Sequence, residues 1–149
     1  MSQQKSFNQL IDFINEFADN HLQIKSFGEG TRAMLNTYTT ENENFPLLFV
    51  ELLSHTMNQW VQQFRVRIYC IDAMNKDLSN RRDIISDTIQ IVNDLYKYIN
   101  NELTNDWNII GQPSTFPVTN ITPEVFSGVF TEYLIEVTLN PADCDIPIN

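Results

Sequence analysis

The sequence predicts an α+β fold in two layers, an antiparallel or mixed β-sheet with two main helices packed on one face, in a single domain over 1–139 followed by an extended tail over 140–149. Three observations predict it. Two stretches carry apolar residues at helical spacing, two carry strict polar–apolar alternation, and the elements run helix, strands, long helix, strands. A chain of 149 residues has the length of one domain, and such a domain buries roughly 68–70% of its unfolded surface. Its 42% hydrophobic content, with 10 Phe, 5 Tyr and 2 Trp, is far from the composition of a disordered chain.

Phe7, Leu10, Ile11, Ile14, Phe17 and Ala18 fall on one helical face, and Ser6 with Gln9 has the spacing of a capping box, so the first helix is expected over 6–21. Leu22 and Ile24 then alternate with polar residues up to Gly28 and Gly30, which predicts a short strand and a turn. Ala33 to Thr39 alternates weakly and is rich in β-branched and aromatic residues; with the polar 41–44 segment it predicts a hairpin. The run Leu47–Leu53 is apolar on both faces, as in a strand buried between layers. Ser54 to Asn58 is polar again, and 54–62 is expected to connect that strand to the next. From Phe64 to Met74, Phe64, Val66, Ile68 and Cys70 point one way and Arg65, Arg67 and Tyr69 the other.

The longest helical pattern covers about 80–103, with Ile84, Thr88, Val92, Leu95, Ile99 and Leu103 on one face over roughly 36 Å. Asp83 and Asp87 near its start and Lys97 nearer its end suit the helix dipole. Trp107 to Val118 reads as one or two short strands, which Pro113 and Pro117 confine to sheet edges. Gly128 to Leu139 alternates cleanly, a long strand with one wet face. The last ten residues have two prolines, two acids and no period.

Nineteen acidic against nine basic residues give a net charge of −10, a field that repels phosphate backbones and anionic membranes, and the cations form no stripe. Protein partners are expected instead. Two cysteines make a poor disulfide framework and fit a reducing compartment. The first residues contain no uninterrupted apolar segment of the secretory kind, and no apolar run approaches the ~18 residues of a membrane span. Synthesis and folding in the cytosol are therefore expected, with no membrane partner.

Catalytic chemistry finds little support. His21 and His55, the two histidines, lie outside any nucleophile motif; His21 reads as a helix cap and His55 as part of a polar loop. Spacings for zinc or an EF-hand are missing, and Asp143-Cys144-Asp145 mismatches hard and soft ligands. Gly28-Glu29-Gly30 lacks the rest of a phosphate loop. Glu132 and Glu136 share one strand face as acid–base pairs do, but no pocket motif accompanies them, and a solvent or inter-subunit face is the simpler reading. With Arg65 and Arg67 on a polar face of the same sheet, the two charged rows are expected to pair within or between chains. No enzyme activity and no cofactor are expected.

The order of elements, together with Phe17-Ala18-Asp19-Asn20-His21-Leu22-Gln23-Ile24-Lys25-Ser26-Phe27-Gly28, Asp87-Thr88-Ile89-Gln90-Ile91 and Cys144-Asp145-Ile146-Pro147-Ile148, resembles the tail-terminator and tail-completion proteins of tailed bacteriophages. The resemblance implies a structural virion protein at the head–tail junction. Copies would close a homo-oligomeric ring, a hexamer or dodecamer, against neighbouring neck, portal-adaptor or tail proteins, while DNA passes through the lumen without specific binding. A cyclic ring needs two different complementary patches on each subunit. The candidates are Arg65, Arg67, Glu132 and Glu136 on the wet strand faces, Met57 and Trp60 in the 54–62 loop, and Pro141, Asp145 and Pro147 in the tail. Trp60 fits either an interface anchor or a cover for the core. The alternative function, from another class, is an acidic intracellular interaction domain that binds a basic partner as a monomer or dimer.

Overall fold

The computed structural model describes residues 6–41, 44–74, 77, 79–103, 107–118 and 126–138. Three helices and six strands follow in the order α1 (Phe7–Asn20), β1 (Ser26–Glu29), α2 (Arg32–Glu41), β2 (Leu47–Asn58), β3 (Val61–Ala73), α3 (Arg81–Glu102), β4 (Trp107–Ile110), β5 (Thr115–Pro117) and β6 (Phe126–Thr138). All six strands join one sheet in the order β1-β2-β3-β6-β4, with β5 also paired to β6. The pairs are antiparallel except β1 with β2, which is parallel. The fold is thus α+β with a mixed sheet.

The two long helices form where their sequence signals lie and cover one face of the sheet. Ser6 accepts from the Gln9 amide at 3.3 Å while the Gln9 side chain accepts from the Ser6 amide at 3.1 Å, closing the capping box. Leu10, Ile14, Phe17 and Ala18 of α1 and Ile91, Val92, Leu95 and Ile99 of α3 pack on Leu48, Val50, Val66, Ile68, Val129, Ile135 and Val137 of the sheet. His21, at the C-terminus of α1, bonds Asp94 of α3 through Nε2 at 3.0 Å and ties the two helices together. It occupies the C-cap, where its backbone amide donates to the Ala18 carbonyl, while Nδ1 of the ring accepts from the Gln23 amide at 3.2 Å, so the cap is made by the backbone and not by the ring.

The 33–39 segment corrects the expected hairpin, since it is a helix. Thr31 accepts from the Met34 amide at 3.2 Å, and Glu51 of β2 accepts from the Arg32 amide at 3.1 Å, so two side chains satisfy amides at the start of α2. The hydroxyls of Thr39 and Thr40 both donate to the Asn36 carbonyl, which lets threonines sit in a helix that their propensity opposes. Helix α2 crosses from β1 to its parallel neighbour β2 on the face opposite α1 and α3. There Leu35 joins Leu47, Phe49, Tyr69 and Ile71 in a second, smaller core. The helical layer expected on one face is therefore joined by a third helix on the other.

Three further boundaries shift. The strand placed at Leu22 and Ile24 lies at Ser26–Glu29, and Gly28 is inside it, its missing side chain leaving room for Tyr38, whose ring would stand 2.8 Å from an added Cβ. Strand β2 is buried only over Leu47–Val50; Leu52 and Leu53 are exposed because β1 ends at Glu29, opposite Val50. The 54–62 connection is not a polar loop. Strand β2 runs on to Asn58 and turns into β3 through Gln59 and Trp60 alone, with Gln59 at φ 45°, so His55 is a strand residue bonded to Gln62 at 2.8 Å. Strands β4 and β5 both lie on the outer side of β6, the edge positions that their prolines predict. The tail lies outside the described residues.

Candidate self-assembly surfaces

The sheet leaves two margins without a described strand beyond them. On one side β1 covers β2 only over Leu47–Val50, so the outer edge from Glu51 to Asn58 is open among the described residues, and every residue from Leu52 to Trp60 is exposed. On the other side β4 pairs with β6 alone. Unpaired edges present rows of free amides and carbonyls, the template for strand addition.

The register relates these two margins. Ser54, His55, Thr56 and Met57 of β2 face Arg65, Phe64, Gln63 and Gln62 of β3. Those four face Leu134, Ile135, Glu136 and Val137 of β6, which in turn face Ile110, Ile109, Asn108 and Trp107 of β4. Segments 54–57 and 107–110 thus occupy the same four rungs at opposite margins. Because β2, β3, β6 and β4 alternate in direction, β2 and β4 run antiparallel to each other. A second copy set beside the first therefore brings its 54–57 edge against 107–110 in antiparallel register, with like faces aligned. In a chain of net charge −10, neither segment holds an Asp, Glu, Lys or Arg, so no fixed charge opposes the approach. Met57 is 74% and Trp60 53% exposed; Trp60 stands on the hairpin turn and does not cover the core.

Of the two charged rows, Arg67 and Glu132 pair within the chain. Arg67 of β3 lies between Glu51 of β2 and Glu132 of β6 on a single rung. Its guanidinium donates to Glu132 through both Nε and Nη2 and to the Tyr69 hydroxyl at 3.4 Å, and Tyr69 in turn donates to Glu51 at 2.8 Å. Its plane also stands 4.7 Å over the Phe130 ring. The Tyr69 hydrogen bond, ahead of Glu132, raises the Arg67 pKa, although burial opposes it. Burial raises that of Tyr69. The network locks β2, β3 and β6 at mid-sheet and, through the other oxygen of Glu51, holds the start of α2.

Glu136 is held by Gln63 at 3.0 Å, two rungs from the exposed Arg65. Glu132 and Glu136 therefore have different partners and do not converge as a catalytic pair. Among the described residues no group of three or more His, Cys, Asp and Glu could hold a metal ion. Pro141, Asp145 and Pro147 lie outside the described residues. The sequence reading missed Glu51 and Tyr69 and the matched β4 margin. The alternation of 107–110 marks a strand, but only the register shows that it shares rungs with 54–57. No helix among the described residues is long and apolar enough to cross a membrane. No protein-family model matches the sequence, and no curated protein matches it.

Proposed function

We propose that this chain is a non-enzymatic structural protein that assembles head to tail into a ring, serving as a tail-terminator or neck-ring component at the head–tail junction of a tailed phage. The observation that supports assembly is the pair of open margins on matched rungs, 54–57 and 107–110. A cyclic ring joins two different surfaces of each subunit, and these edges differ in sequence while running antiparallel on the same rungs and face. Strand addition between them continues the sheet from subunit to subunit in a hexamer or dodecamer. Neck, portal-adaptor or tail proteins would then dock on the flat faces of the ring. The acidic balance of the chain disfavours adhesion of DNA passing through the lumen. The phage setting rests on the sequence resemblance.

The test is negative-stain imaging of particles from phage-infected cells carrying this gene product, with the chain labelled by antibody. Label at the head–tail junction is the expected result. Label absent from every virion contradicts it and favours an acidic interaction domain with a basic protein partner.

A further inference from the structure

A second feature lies on the helix-covered side of β6, beside the connection that follows β4. Residues Val92, Asn93 and Tyr96 of α3, Gln112 and Pro113 of the β4–β5 connection, Thr115 of β5, and Thr131 and Tyr133 of β6 enclose a cleft of about 280 Å³. Tyr133 is 1% exposed and its hydroxyl has no hydrogen-bond partner among the described residues. A buried polar group left unpaired is uncommon and marks a place where a partner is missing. The Tyr96 ring lies nearly parallel to that of Tyr133, with centroids 6.5 Å apart, and is 38% exposed, so an aromatic plane borders the cleft.

The lining selects a chemistry. It contains no Asp, Glu, Lys, Arg or His, so neither an anion nor a cation would find a counter-charge there. Its polar groups are the hydroxyls of Thr115, Thr131 and Tyr133 and the amides of Asn93 and Gln112, all able to donate and to accept. The Thr115 and Thr131 hydroxyls already lie 3.0 Å apart. Tyr96, Val92 and Pro113 supply an apolar wall. Groups that both donate and accept, beside an aromatic plane, complement a ring that carries hydroxyls around its rim and C–H bonds on its faces. The volume, at the lower end for small-molecule sites, suits one such ring. Burial pushes the Tyr133 phenol pKa up, which keeps the hydroxyl a neutral donor and acceptor at physiological pH.

We infer that the cleft between α3 and the β5–β6 pair binds a neutral pyranose, a free monosaccharide or the terminal residue of a glycan, with Tyr133 and Gln112 on its hydroxyls and Tyr96 against its face. This site does not depend on ring assembly. The test is amide NMR of the full chain titrated with glucose, galactose, mannose and N-acetylglucosamine and with their methyl glycosides. For at least one sugar, saturable shifts at Asn93, Gln112, Thr115, Thr131 and Tyr133 are expected, with a millimolar Kd. Tyr133→Phe should weaken binding about tenfold, the loss of one well-made hydrogen bond, and Tyr96→Ala by at least as much. Equal binding of methyl glycosides identifies a glycan terminus, and binding of free sugars alone identifies a monosaccharide. The inference is overturned by absence of cleft shifts with every sugar, which leaves an ordered water as the hydroxyl's partner. Equal binding by a folded Tyr133→Phe variant also overturns it.

Discussion

The unpaired Tyr133 hydroxyl and the Asp72 carboxyl both reduce the stability of the free protein. A buried polar group without a partner carries its full desolvation penalty, about 1–3 kcal/mol. Tyr133→Phe removes the group and keeps the ring, so it should raise the unfolding free energy of the free protein by about 1 kcal/mol in urea titrations. Asp72 accepts from the Ala73 amide at 2.8 Å, yet burial, and secondarily the charge of Asp87, raises its carboxyl pKa. The folded state thus binds this proton more tightly than the unfolded chain does, and the contribution to stability is lost as pH rises through the folded pKa. Asp72→Asn should therefore be more stable than the parent near pH 7, and the gap should close as pH falls below the ordinary carboxylate range, measured by urea titration at both ends. Neither residue stands out in the sequence. The alternation of 128–139 places Tyr133 in the core, but whether its hydroxyl finds a partner depends on α3 and the β4–β5 connection, far away in the chain.

At the scale of elements, periodicity was informative wherever one face is buried along the whole length. Both long helices and strands β3 and β6 satisfy this, and their bounds fall within a few residues of the expected ones. Helix α2 does not: only Leu35 and Thr39 are buried, while threonines and Tyr38 mimic a strand. Its start signal, Thr31 after Gly30, was present in the sequence; the Glu51 contact that completes it comes from the next strand and was not legible. The same dependence on distant partners hid the hairpin. Residues 52–58 are exposed because β1 stops opposite Val50, and pairing with 61–66 holds them as a strand. The β3–β6 pair is the spine of the sheet, and Gly128 lets the two strands close. A Cβ at that position would stand 2.0 Å from the Cys70 carbonyl oxygen. Gly128→Ala forces the backbones apart and should destabilise the protein by about 3 kcal/mol, read as a loss of denaturation midpoint with unchanged m-value.

For the whole molecule, the mid-sheet network and the margins have opposite roles. The Glu51–Tyr69–Arg67–Glu132 chain uses the charges of the wet face inside the subunit, so Arg67, Glu132 and, through Gln63, Glu136 are committed to the fold. The surfaces left for neighbours are the uncharged edges. Charge introduced there tests this division. Thr56→Lys with Asn108→Lys puts like charges on the shared rung and should keep the chain monomeric in sedimentation, whereas Thr56→Lys with Asn108→Glu should restore assembly. In a single subunit β3 and β6 separate residues 56 and 108, three strand spacings or roughly 14 Å, well beyond the reach of a disulfide. The most direct measurement is therefore oxidation of a Thr56→Cys, Asn108→Cys, Cys144→Ser chain, followed by non-reducing electrophoresis. Head-to-tail strand addition predicts a ladder of covalent multimers ending at a closed ring of six or twelve, absent when either introduced cysteine is omitted; a chain that stays monomeric at high concentration under oxidation would contradict assembly through these edges.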